Sequence, residues 1–221
     1  MFANLKDAPF FDGLRSLFKG KQPEARRWIV LDVETSGLNP HSDRLLAIAA
    51  VALDVSPDFE RIAIVIGDSY EAVLKQDLPS SKDNILIHRI GVQAQADGRP
   101  PIEVLEEFRS WLGDCPLLAF HAAFDEAMLG RAYALAGLKP LQNEWLDIEP
   151  LAKITGVNPS LRALDDWLQH FGIECAVRHQ AAADTFATAE LLMRLWPYLK
   201  REASSWSSLR SIARQANWIP R

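Results

Sequence analysis

Trp28-Ile29-Val30-Leu31-Asp32-Val33-Glu34-Thr35-Ser36-Gly37 opens as an apolar run and closes on two acids and a turn. Trp28 to Val33 is apolar apart from Asp32, which predicts a buried strand. Residues two apart in a strand project to one face, so Asp32 and Glu34 point the same way. Two ionised acids beside an apolar strand repel each other and lose hydration. A divalent cation between them removes both penalties. The competing reading ends the strand just before Asp32 and leaves both acids in solvent.

Working outward, Leu45 to Leu53 reads as a second buried strand. Arg61 to Leu74 holds two β-rich pieces, Ile62 to Ile66 and Tyr70 to Leu74, broken at Gly67-Asp68. Asp77 to Pro101 is polar and reads as loop and short turns. Pro101 starts a helix with an apolar face of Ile102, Leu105, Phe108 and Leu112, ending near Gly113. Leu117 to Phe120 is a short buried strand, followed by a helix from Phe124 to about Ala136 that Gly137 is placed to cap. Trp145 to Ile148 is a last strand. Ser160 is placed as N-cap of a helix from Leu161 to Phe171, closed by Gly172. A final helix of this region runs from about Gln180 to Trp196. Strands adjacent in sequence, then strands alternating with helices, predict an α/β fold with a mixed sheet covered by helices.

A chain of 221 residues suits one domain with elaborations and buries a full core without disulfides. Cys115 and Cys175 lie far apart without metal-ligand spacing, the pattern of a reduced, cytoplasmic protein. The apolar run Leu45 to Leu53 is too short to span a membrane, and Asp7 and Asp12 interrupt any signal-like N-terminus. Residues 1–26 read as a helical appendage, with Phe10, Phe11, Leu14, Leu17 and Phe18 at helical spacing before Gly20 and Pro23. That helix either packs on its own domain or docks a partner or a second copy. The main domain covers 27–198, and 199–221 form a basic extension. The extension carries Lys200, Arg201, Arg210, Arg214 and Arg221 against Glu202, with Trp206, Leu209, Ile212 and Ala216 at roughly helical spacing. Either its arginines meet phosphates, or it is a last helix packed on the domain with its charges in solvent.

Further chemistry-bearing residues cluster at two places. Asp125, in Phe120-His121-Ala122-Ala123-Phe124-Asp125, lies where a buried strand turns into a helix. Helix capping alone would explain an acid there. His179 and Asp184 lie in His179-Gln180-Ala181-Ala182-Ala183-Asp184. Five helical residues rotate roughly 500°, about 140° net, so the two would not share a helical face. The spacing predicts His179 in the loop before the helix and Asp184 looking back from its first turns.

Type, order and spacing together resemble the DEDDh 3′→5′ exonucleases, the DnaQ-like family named for four acids and a histidine. Within it the chain looks most like epsilon-type proofreading subunits of bacterial DNA polymerase III. The resemblance rests on Asp32-Val33-Glu34-Thr35-Ser36-Gly37-Leu38, on His121-Ala122-Ala123-Phe124-Asp125 with Met128 and Leu129 behind it, and on His179 with Asp184. Gln180 stands where the sister group has tyrosine. Ile85-Leu86-Ile87-His88-Arg89-Ile90 is similar to a family segment after the third strand. One departure is Ala122, where the family usually has asparagine; it removes an amide hydrogen-bonding group near the site.

The resemblance covers about residues 27–197 and implies an RNase H-like, five-stranded mixed sheet. It implies two Mg²⁺ or Mn²⁺ ions held by Asp32, Glu34, Asp125 and Asp184, hard cations on oxygen ligands. His179 would be the general base. Thr35, Leu38 and Phe124 would contact the substrate, although core packing would also account for Leu38 and Phe124. The expected partner is a single-stranded nucleic-acid 3′ end, from which nucleoside 5′-monophosphates are released. Two divalent ions add four positive charges to a formal −5, leaving −1, so overall acidity does not exclude a polyanionic substrate. An RNA- or oligoribonucleotide-trimming enzyme shares all these residues, and a non-catalytic nucleic-acid-binding module would share the scaffold. The terminal extensions are the expected route to a protein partner or self-association.

Overall fold

A computed structural model describes residues 26–216 except Pro159, Ala176 and Val177. The expected docking segment before Arg26 and Arg221 of the basic extension lie outside the described residues. Five strands form one mixed sheet in the order β3-β2-β1-β4-β5. Strand β1 (Arg27–Thr35) pairs antiparallel with β2 (Leu45–Val55), which pairs antiparallel with β3 (Ile62–Val73). Beyond β1, β4 (Leu117–Ala119) and β5 (Trp145–Asp147) run parallel to it. This is the RNase H-like mixed sheet expected from the sequence.

β1 does not stop before Asp32. It continues to Thr35, with Asp32 opposite Ala49 and Glu34 opposite Ala47. β3 is also one strand rather than two pieces: its register shifts between Val51 and Ala52 of β2, so Ile66-Gly67-Asp68 bulge without ending the pairing. Asp68 is fixed there by a two-pronged ion pair from Arg27, at 2.6 and 2.8 Å. That ion pair and the bulge reconcile a turn-like Gly-Asp with an unbroken strand.

The stretch 77–101 is not all loop. It holds α1 (Lys82–His88) and α2 (Val92–Ala96), short helices without a buried apolar stripe to announce them. Next come α3 (Pro101–Leu112) and α4 (Ala122–Leu135), then α5 (Ile148–Ile154). α6 (Leu164–Phe171) starts three residues later than Ser160 predicts. Asp166 accepts from the Ala163 amide, so the first turn is organised from within, while Ser160 pairs with Asn158. α7 (Ala181–Glu202) carries Pro197 inside it and runs past Trp196. α8 (Trp206–Ala216) completes the described chain.

The sheet separates two apolar cores. On one face Trp28 and Val30 of β1 pack with Val51, Leu53, Leu191, Leu192, Leu195 and Trp206, under α5, α7 and α8. On the other, Ile29, Leu31 and Val33 pack with Leu105, Phe108, Met128 and Tyr133, under α3 and α4. The alternation of β1 therefore decides the site. Even-numbered residues face α7, so Asp32 and Glu34 follow Trp28 and Val30 toward that helix.

Candidate active site

Asp32 and Glu34 emerge at the carboxyl end of β1 on the α7 face. Their cross-strand neighbours, Ala49 and Ala47, are small and leave room above the strand. Asp184 sits in the first turn of α7 and is buried. The next residue locks that turn to the sheet: Thr185 Oγ1 donates to the Ala49 carbonyl at 3.2 Å. One carboxylate oxygen from each of Asp32, Glu34 and Asp184 lies within 4.8 Å of the others, a spacing that fits a shared metal ion.

Asp125 reaches this end of the sheet from the opposite layer. It lies in the first turn of α4, buried at 4% exposure, and accepts from the Val33 backbone of β1. Burial pushes its carboxyl up to about 8. Burial does the same to Glu34, up to about 7, partly offset by Arg178. Asp32 is raised well above the ordinary carboxylate range by burial, then by the negative charges of Asp125 and Glu34. Asp32, Glu34 and Asp125 are thus held where none ionises easily without a counter-charge. Perturbation of this kind marks functional sites more often than plain surfaces.

His179 occupies the turn before α7 with a left-handed backbone, φ 61°, and an exposed side chain. Its amide donates to Asp184 Oδ2 at 2.9 Å. It thus lies in the loop, and Asp184 faces back from the helix, as the spacing predicted. Thr35 is buried, and its Oγ1 donates to the Gly37 carbonyl at 2.7 Å. Leu38 is 88% exposed, which excludes core packing for it. Phe124 is half-buried against the α3–α4 core. Ala122 is buried at the first position of α4, and no amide side chain stands there.

Two neighbours of the site escaped the sequence reading. Arg178 pairs with both Asp165 and Asp184, placing a guanidinium against a candidate ligand. Its position directly before His179 was the available signal. Asp147 ends β5 and caps α5, and its Oδ1 also accepts from the His121 amide at 3.0 Å. Its charge helps raise Asp125. As the closing residue of a three-residue strand, it was hidden among ordinary caps.

Fold and site together define a nuclease of the DnaQ-like exonuclease class. The chain belongs to the RNase T exonuclease family, whose model matches residues 29–192. It is 26% identical over 194 residues to a PolC-type DNA polymerase III of Staphylococcus saprophyticus, covering 86% of this chain and 13% of that one. A Staphylococcus aureus counterpart is 27% identical over 176 residues, covering 78% and 12%. The chain therefore spans about an eighth of the length of these relatives. Among solved structures, E. coli Exonuclease I in complex with a dT13 oligonucleotide superposes with TM-score 0.66 at 20% identity, over 80% of this chain and 42% of that one. Exonuclease X in complex with 5′ overhanging duplex DNA gives 0.62 at 20% identity, over 84% and 99%. At such identity these two neighbours speak for the fold.

Proposed function

We propose that the protein is a 3′→5′ exonuclease that removes nucleoside 5′-monophosphates from the end of single-stranded DNA. The observation that carries this is the convergence of Asp32, Glu34 and Asp184 within 4.8 Å, with buried Asp125 beside them. An all-oxygen donor set of this charge fits hard divalent cations such as Mg²⁺ or Mn²⁺. Asp32, Glu34 and Asp184 would hold one ion, and Asp32, with Asp125 acting through water, a second. Bound there, the pair would polarise the scissile phosphate and stabilise the attacking and leaving oxygens.

The chain's own groups supply the rest. His179, exposed on its turn, would accept the proton of the attacking water. The backbone around Thr35 would meet the terminal sugar hydroxyl. Leu38 and Phe124 would stack against the last bases, a contact tolerant of sequence. The DNA polymerases among the relatives support DNA rather than RNA as substrate. The exonuclease unit is assigned to 27–198, with 199–221 as an extension that begins on the last turns of α7. That extension and residues 1–26 are the proposed contacts for a protein partner or a second copy. Two free cysteines fit a reducing cytoplasm, and no described helix is long and apolar enough to cross a membrane.

The test is a degradation ladder on 5′-labelled single-stranded DNA and matched RNA, with Mg²⁺, with Mn²⁺ and with excess EDTA. Mononucleotide steps from the 3′ end are expected, faster on DNA. Asp32→Ala and Asp184→Ala should nearly abolish them. Undiminished cleavage in EDTA, or rapid cutting of a circular strand, would refute the reading.

A further inference from the structure

Helix α1 lies beside the active-site strand yet buries almost nothing apolar. Its one buried residue is His88, while Leu86 and Ile87 are exposed. What ties it to the sheet is polar. Asn84 Nδ2 donates to the Thr35 carbonyl at 2.9 Å. A carbonyl only accepts, so the amide nitrogen must face Thr35 and the amide oxygen must face away. That oxygen, Oδ1, meets His88 Nε2 at 2.7 Å.

The histidine's own tautomer is fixed as well. The Ile90 amide donates to His88 Nδ1 at 2.9 Å, so Nδ1 is an acceptor and the proton sits on Nε2. Burial lowers the imidazole below its ordinary value, keeping it neutral with a single N–H. Behind it, Ser80 Oγ lies 3.3 Å from Nε2 and accepts from Gln95 at 3.0 Å. The series Ile90 N–H, His88, Asn84, Thr35 C=O therefore runs one way, each donor matched to an acceptor.

Its end point is the peptide that joins Thr35 to Ser36. The planar peptide is gripped on both sides: its carbonyl by Asn84, its N–H by the Arg44 carbonyl at 2.9 Å. We infer that Asn84, oriented by His88, is a positioning residue that holds the Thr35 backbone in register with the terminal 3′ hydroxyl of the substrate. This rests on the exonuclease reading, in which Thr35 meets that hydroxyl. Asn84 itself touches no reacting atom. It grips the carbonyl of the peptide whose N–H the Arg44 carbonyl holds.

The test compares two 5′-labelled single strands, alike except for a 3′-hydroxyl or a 2′,3′-dideoxy terminus, with the full chain in Mn²⁺. The wild type should favour the hydroxyl end. Asn84→Ala and the near-isosteric Asn84→Asp, neither able to donate to Thr35, should lose about tenfold in kcat/KM on the hydroxyl end, one hydrogen bond's worth of alignment. On the dideoxy end they should change less than about twofold, so the preference collapses. His88→Leu should share the defect and His88→Gln, which restores an N–H for Asn84, should recover most of it. Ser80→Ala, which removes only the longer contact to His88 Nε2 and leaves the 2.7 Å bond to Asn84, should keep the preference. Melting temperatures exclude variants that fail to fold. An unchanged preference in both Asn84 variants, an equal loss on both ends, or an equal loss in Ser80→Ala would overturn the inference. A wild type that cleaves neither strand would instead overturn the exonuclease reading.

Discussion

At Asp184 three neighbours converge on a single carboxylate: the Cys175 thiol at 3.4 Å, the Arg178 guanidinium and the His179 amide at 2.9 Å. The loop that brings His179 is therefore anchored by its backbone to a candidate ligand while its imidazole stays exposed. His179→Ala should slow turnover by about 10²–10⁴-fold, the usual contribution of a positioned base, and leave metal affinity nearly unchanged by calorimetry. Lost affinity with normal turnover at saturating metal would make His179 a ligand instead. The buried acids also give stability a definite pH dependence. Glu34 at about 7 and Asp125 at about 8 have values raised by burial. An acid raised on folding binds its proton more tightly in the folded chain. Its stabilisation is complete below the unfolded carboxyl range and is lost as pH rises through about 7 to 8. In EDTA the melting temperature should fall from about pH 5.5 to about pH 8.5, by roughly 2–4 °C for each kcal/mol lost. Saturating Mn²⁺ should abolish the fall. A flat profile in EDTA would show that the acids are not strained by their own charge.

Among the elements, α8 shows the apolar packing that one of its two readings expected. Trp206, Leu209 and Ala213 are buried in the core, and Trp206 meets Trp28 of β1 edge-on with ring centres 4.9 Å apart. Arg210 pairs with Glu144 rather than reaching into solvent. The helix packs. Trp206→Ala should cost about 3–5 kcal/mol in chemical denaturation, the range for truncating a buried aromatic. A loss under about 1 kcal/mol would mean that the helix merely rests on the domain. α8 was legible in its spacing because burial dominates it. α1 and α2 were not, because one buried histidine and one buried glutamine, His88 and Gln95, replace an apolar stripe. Ser160 misled for a related reason. A capping serine is a local signal, and its neighbour Asn158 claimed the hydroxyl. For β1 the reading that keeps Asp32 and Glu34 on the strand holds, because their partners Ala49 and Ala47 keep the ladder intact. The acids of the candidate site stood out by their type and order, and the structure brings Asp32, Glu34 and Asp184 together. Arg178 and Asp147 did not stand out, since ion pairs and caps of that kind occur throughout ordinary surfaces.

For the whole molecule, a formal charge of −5 sets the field that a nucleic acid first meets. Arg214 is exposed on α8 and shares a small cleft with Asp147 beside the site. If it meets a phosphate, Arg214→Ala should reduce the salt dependence of DNA affinity by about one unit of slope and leave turnover at saturating substrate unchanged. An identical slope would leave the extension a purely packing role. The layered arrangement has a last consequence for the living chain. Asp32 and Glu34 leave the ribosome with the first strand, but Asp184 comes only with α7, after all five strands have been made. If Asp184 completes the metal site, as proposed, hydrolysis has to wait until that helix docks. On that reading a chain interrupted before α7 would carry the first two acids without the third and should cut no DNA.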